Sequence, residues 1–354
     1  MKHYLLAFIL IVLITACKQD EQDNKNLSSQ RLQQAPEHTN DFYDDADGHA
    51  LISVDSILVS GEVSEPVTIQ KSALPRHSVL FKDTRFSDEG GRFVGAYQYH
   101  GSSLYDILNT VKLEKANADD YSPIIDLYII VEDASGNTAV FSWGEIFYPN
   151  NKHQIIIADS VNPILPSKVD DKWPLPKTAQ LIAGHDLYTE RSLSQPVKIT
   201  IKSIPGYFPS IPEDMPLYSP GIEILSCGDS LTFISEIPDR LPLVHYKNTF
   251  YGRGRGIHGI TDFYGVSLKS LLKKHYGLTA DRLRHGLFVI SAADGYRAAF
   301  SYSEIMNRND QSEVILNDRN AGTEGGRYRL FVAADFFSDR AIKSVNTIDL
   351  KMTN

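Results

Sequence analysis

Apolar positions along this chain alternate between two spacings, and the spacing predicts the elements. Leu127-Tyr128-Ile129-Ile130-Val131, Ile155-Ile156-Ile157, Leu181-Ile182-Ala183 and Val197 to Ile201 are short apolar or alternating runs bounded by turn residues, the signature of strands. Ile57 to Ile69 adds two more strands around a turn from Glu62 to Pro66. Leu104, Ile107, Leu108 and Val111 fall at i, i+3, i+4 and i+7, which predicts a helix beginning at Ser102 or Ser103. Asp83 to Gly95 holds glycines and no sustained period, so an irregular loop is expected there. The same order then returns. Tyr264 to Leu268 starts a helix carrying Leu271 and Leu272, and strands are predicted at Leu287 to Ile290, Val314 to Leu316, Leu330 to Val332 and Ile342 to Leu350.

The return is also visible residue by residue. Gly136-Asn137-Thr138-Ala139-Val140-Phe141-Ser142-Trp143-Gly144-Glu145-Ile146 matches Gly295-Tyr296-Arg297-Ala298-Ala299-Phe300-Ser301-Tyr302-Ser303-Glu304-Ile305 at six of eleven positions. In each copy an extended run meets a serine with a glutamate three residues on. Ser-x-x-Glu is a capping box, so Ser142 and Ser301 are read as helix caps rather than nucleophiles. A second matched block, Asp186 to Arg191 and Asp335 to Arg340, sets an acid and an arginine five apart. A structural ion pair pinning the last strand is expected; the alternative is an arginine that holds an anion. Five prolines between Ser203 and Pro220 separate the copies and predict a stiff strap.

Composition restricts the function classes. A net charge of −9 leaves no dominant basic field, which argues against a nucleic-acid partner. Lys2 and His3 precede a hydrophobic run from Tyr4 to Ile14, and Ile14-Thr15-Ala16-Cys17 has the layout of a bacterial lipobox. The expectation is a lipoprotein signal over 1–17 with Cys17 lipidated, a membrane partner through that anchor, and a cell-envelope location on the periplasmic or surface face of the outer membrane. A polar tether over 18–49 follows. The remaining length predicts two domains, 50–203 and 221–354, joined by a linker over 204–220. With Cys17 acylated, Cys227 is the last thiol, so neither a disulfide nor a cysteine zinc site is expected.

Several blocks in this order resemble the molybdopterin-binding domain of the sulfite oxidase family. They are Val59-Ser60-Gly61-Glu62-Val63 with Pro66, the aromatic-x-Gly-x-x-Leu helix start (Tyr99 to Leu104, Phe263 to Leu268), the capping-box strand, and Asp-x4-Arg before a final alternating strand. The resemblance covers 52–203 and 221–353 and implies an α+β fold: two tandem domains with mixed sheets and a pterin cofactor among their loops. It also implies a cysteine ligand to molybdenum. The corresponding segments, Leu80 to Arg85 and Tyr246 to Tyr251, contain none; neither Asp83 nor Tyr251 is a soft sulfur donor, and Cys227 is read as a buried apolar residue on a strand.

Candidate site residues come from two glycine-rich loops. Tyr251-Gly252-Arg253-Gly254-Arg255-Gly256-Ile257-His258-Gly259 offers Arg253, Arg255 and His258 to a phosphate or carboxylate, with Arg92 at the matching position of copy one. Glu324-Gly325-Gly326-Arg327-Tyr328-Arg329 offers Arg327. A solvated turn is the plainer reading of both. The histidines show no His-x-x-x-His spacing, so a metal site would have to be assembled by the fold. Two functions remain: an envelope-anchored protein binding a small anion or an envelope partner, or an oxidoreductase holding molybdopterin without a cysteine ligand. A purely structural surface lipoprotein is the third possibility.

Overall fold

The computed structural model describes residues 49–53, 55–166, 172–212, 214–318 and 326–353. The lipobox with Cys17, the tether up to residue 48, and Glu324 and Gly325 lie outside the described residues. Among those described, no helix is long and apolar enough to cross a membrane.

The first half runs β1 (His49–Ala50), β2 (Ser56–Gly61), β3 (Val67–Gln70), β4 (His77–Arg85), β5 (Arg92–Ser103), α1 (Leu104–Leu108), β6 (Leu127–Asp133), β7 (Thr138–Ser142), α2 (Trp143–Phe147), β8 (Ile155–Pro163), β9 (Gln180–Ala183) and β10 (Pro196–Ser203). The second half runs β11 (Ile222–Ser226), β12 (Asp229–Ile234), β13 (Leu243–Gly252), β14 (Gly256–Ser267), α3 (Leu268–Leu272), α4 (Ala280–His285), β15 (Gly286–Ala292), β16 (Arg297–Ser301), α5 (Tyr302–Met306), β17 (Val314–Asn317), β18 (Arg329–Val332) and β19 (Val345–Met352). Four sheets result. Their orders are β1-β8-β5-β4 with β9 on β8, β3-β2-β10-β6-β7, β12-β11-β19-β15-β16, and β13-β14-β17-β18.

This corrects the fold expectation. The chain is mostly β, with four blade-like sheets, the sheet count of a four-bladed β-propeller, and not a tandem of α+β molybdopterin-binding domains. The resemblance to the sulfite oxidase family falls with it. Its motifs were caps, turns and strand ends, which many β-rich folds need. The helices are only five or six residues long, so Val111 lies beyond α1. The expected loop from Asp83 to Gly95 is instead the tip of a long antiparallel hairpin, β4 paired with β5 from His77↔Gly101 to Arg85↔Arg92. No residue from Asp83 to Val94 is buried, so neither face of the tip carries an apolar period.

The two halves repeat one topology. β4-β5-β8-β9 matches β13-β14-β17-β18, and β3-β2-β10-β6-β7 matches β12-β11-β19-β15-β16. The parallel pair β2/β10 recurs as β11/β19. Residues Ala46–Asn354 nevertheless form one compact unit. A buried cluster of Val140, Leu287, Val289 and Ala299 joins the halves, with Ile204 and Phe208 of the proline-rich strap packed against it.

At that junction lies a doubled charge network. Arg191 is fully buried and forks onto Asp186, Nε to Oδ2 at 2.9 Å and Nη2 to Oδ1 at 2.7 Å, while Nη1 lies 3.0 Å from both oxygens of Glu145. Arg340 repeats this with Asp335 at 2.8 and 2.7 Å and with Glu304 at 2.6 Å. The ion-pair reading of Asp-x4-Arg is therefore the observed one. Both serines cap as expected, Ser142 accepting from the Glu145 N–H and Ser301 from the Glu304 N–H. They also cross over. The Ser142 hydroxyl donates to Glu304 at 2.7 Å, and Arg191 donates to the Ser301 hydroxyl at 3.1 Å. Burial pushes the Glu304 carboxyl up even with Arg340 beside it. Glu145 feels the same desolvation, but Arg191 together with His185 holds it at about 2.

Cys227 is corrected as well. It is exposed and sits with Gly228 in the two-residue turn between β11 and β12, at φ 52° and 89°. Two positive φ values in succession make the twist that joins adjacent antiparallel strands.

Candidate functional site

The β13–β14 hairpin carries the loop singled out from sequence. Its residues Arg253 to Arg255 form the tip. Below the tip a cavity of about 450 Å³ is lined by Phe250, Arg255, His258, Thr261 and Phe263 of the hairpin, Arg329 of β18, and Ser338, Ala341 and Lys343 of the segment before β19. Among the described residues, four basic side chains and no carboxylate line this space.

Local irregularities aim the side chains. The register slips between Phe250↔Gly259 and Tyr251↔Ile257, leaving His258 as the extra residue of a β-bulge, next to Gly259 at φ +127°. The bulge turns His258 toward the cavity face shared by Thr261 and Phe263. Gly252 makes room for it, since a methyl there would stand 2.6 Å from His258 Nε2. Arg327, two residues before the start of β18 at Arg329, would share a face with Arg329 if the strand continued regularly back to it. Tyr328 between them has φ 55°, which breaks the alternation and sends them to different cavities. The Phe250 ring is tilted 54° to that of His258 at 5.5 Å and lies 5.1 Å below the Arg329 guanidinium, which it supports.

Of the five predicted site residues, the fold brings two together, Arg255 and His258. Arg253 leans the other way and pairs with Asp339 at 3.4 Å. Arg327 is held in a fork by Asp318 at 2.7 and 2.9 Å and lines a separate groove of about 560 Å³ with Tyr218, Leu243 and Tyr264. Its charge is spent on that partner. Arg92 is exposed at the start of β5, opposite Arg85 in the hairpin, and lines none of the cavities described. Arg329 and Lys343 complete the basic set. Arg329 stood at the edge of the second glycine-rich loop, whereas Lys343 carries no local motif at all.

Leu80 to Arg85 lies within β4 and Tyr246 to Tyr251 within β13; neither holds a thiol, and Cys227 is outside the residues lining the basic cavity.

No family model matches the chain, and no curated protein does. Among solved structures it is similar to the sulfane dehydrogenase SoxCD from Paracoccus pantotrophus, at 10% identity over 84% of this chain and 77% of that one, with a TM-score of 0.30. A superposition that loose carries no argument about activity.

Proposed function

We propose that this protein binds a small multivalent anion, of the phosphate or carboxylate class, in the cavity beneath the β13–β14 hairpin. One observation carries the reading: Arg255, His258 and Lys343 converge, beside Arg329, on a space of about 450 Å³ that no acidic side chain lines among the described residues. Arg329, over the Phe250 ring, and the exposed Arg255 and Lys343 add up to a local positive field beside His258, and a guanidinium fork matches the oxygens of a phosphate or carboxylate. The hydroxyls of Thr261 and Ser338 supply neutral donors for orientation. The sequence supports an envelope address for this binding protein, through the lipobox at Cys17 and the polar tether that follows. The net charge of −9 supports a ligand that reaches a local basic cavity rather than a nucleic acid spread over a surface.

Calorimetric titration with inorganic phosphate, pyrophosphate and citrate is the test. Saturable binding is expected for at least one of them, and Arg255→Glu and Lys343→Glu should each weaken it about tenfold or more, the scale of one charged hydrogen bond. Absence of saturable binding in the wild type, or affinity untouched by both reversals, defeats the reading. A finer check is Gly252→Ala. Its methyl displaces His258, so affinity should fall roughly threefold to tenfold, about one ordinary hydrogen bond, while the melting temperature stays close to wild type.

A further inference from the structure

At the opposite end of the sequence from the basic cavity, three potential metal ligands meet on one corner of the first half. His77 opens β4, Asp106 lies in α1, and His153 sits in the turn before β8. One donor atom from each lies within 4.8 Å of the others. His77 Nε2 is 2.7 Å from Asp106 Oδ2, and His153 Nδ1 is 3.6 Å from the same oxygen. The two imidazoles stack at 3.8 Å with 7° between their planes.

The second half supplies a control within the same chain. It builds the same corner from β13, α3 and the turn before β17. His77 pairs with Gly101, and the residue opposite the matching Gly265 is Val244. Ser103 caps α1 three residues before Asp106, and Ser267 caps α3 three residues before Ser270. Ser103 lies opposite Ile156 and Ser267 opposite Ile315, which matches His153 with Ser312. Valine and two serines thus hold this corner where the first half has two histidines and an aspartate. The fold does not need the His-Asp-His set. We infer that His77, Asp106 and His153 form a binding site for a borderline divalent cation of the zinc type.

The chemistry fits that class of ion. Two imidazoles and one carboxylate suit zinc, cobalt, nickel or copper and are a poor set for magnesium or calcium, which prefer all-oxygen shells. Three protein ligands on a partly exposed corner leave a coordination position to solvent, as open zinc sites do. Ser103 is the supporting group. Its hydroxyl donates to Asp106 Oδ2 at 2.5 Å and lies 3.1 Å from His153 Nδ1, so it fixes the carboxylate against the helix start. Lys152, the nearest cation in sequence, is drawn away over the Tyr105 ring at 4.7 Å. A shared ion lies off both planes of the stacked pair. Binding therefore tilts the more exposed ring, His153, about its broad Cβ–Cγ torsion.

The test is titration of chelator-treated protein with Zn²⁺ by calorimetry, and with Co²⁺ by visible absorption, in a Cys227→Ser background that removes the exposed thiol as a competing ligand. One equivalent is expected. His77→Ala and His153→Ala should each weaken it at least tenfold, with metal-free melting temperatures like the parent's. Lowering the pH from about 7.5 to 5.5 should weaken it too, because the imidazoles take up protons. No binding in the parent overturns the inference. So does an equivalent that survives both histidine substitutions, which would place the ion elsewhere. Because the basic cavity shares none of these residues, phosphate or citrate binding should be unchanged in His153→Ala, and either property can fail without the other.

Discussion

Replacing Arg191 by alanine is expected to lower the unfolding free energy by about 3–5 kcal/mol, the range found when one member of a buried ion pair is deleted. The guanidinium is fully buried between Asp186 and Glu145, 4.2 Å above the Phe141 ring. Its removal strands two carboxylates that water cannot reach. Arg340→Ala should cost a similar amount, since Asp335 and Glu304 are in the same position. Lysine should rescue little at either place, because one ammonium cannot make the two-oxygen fork to the aspartate while also reaching the glutamate. Urea unfolding of the variants is the measurement. A loss below about 1 kcal/mol would mean that these charges are far better solvated than their burial implies.

Gly101→Ala should have an effect of comparable size for a steric reason. A methyl at residue 101 would lie 2.1 Å from the Ile157 carbonyl oxygen and 2.6 Å from the Ala158 Cα, both backbone atoms of the neighbouring strand β8. Backbone in the middle of a sheet has nowhere to move, so about 3 kcal/mol or more is expected, at the upper end of what overpacking costs. The matched glycine behaves alike. A methyl at Gly265 meets the Leu316 carbonyl oxygen at 2.5 Å. Gly254→Ala, where no atom lies within 4 Å, is the control and should be neutral in thermal melts. If Gly101→Ala melts with the wild type, the close approach of β5 to β8 is wrong.

These two glycines also explain what the sequence could reveal. The aromatic-x-Gly spacing stood out in both halves because close strand contact demands it at both places, and the duplicated topology was readable for that reason. The capping serines and the Asp-x4-Arg pairs were legible on the same ground: each acts within six residues of chain. Fold class was not legible. The 3.6-residue spacing from Leu104 to Val111 matched a helix that in fact stops at Leu108, and the half-polar faces of β4 and β5 disguised a long hairpin as a loop. Sites fared worse, because they are assembled from distant segments. Arg255 and His258 share a hairpin and could be paired on paper. Lys343 reaches them only through the packing of the segment before β19. His77 and Asp106 are 29 positions apart, and no motif connects them to His153.

The crossed serines at the junction have a consequence for how such a chain could have arisen. The Ser142 hydroxyl of the first repeat reaches Glu304 of the second, and Arg191 of the first repeat reaches the Ser301 hydroxyl that caps a helix of the second. A gene encoding one repeat would keep the Arg340 contact to Glu304 but lose the Ser142 hydroxyl that donates to the same carboxylate. Its product would complete the same contacts only by pairing with a second copy of itself. Fusion of two such genes turns that self-association into a covalent certainty. The two copies are then free to differ, as they do where His77, Asp106 and His153 stand opposite Val244, Ser270 and Ser312.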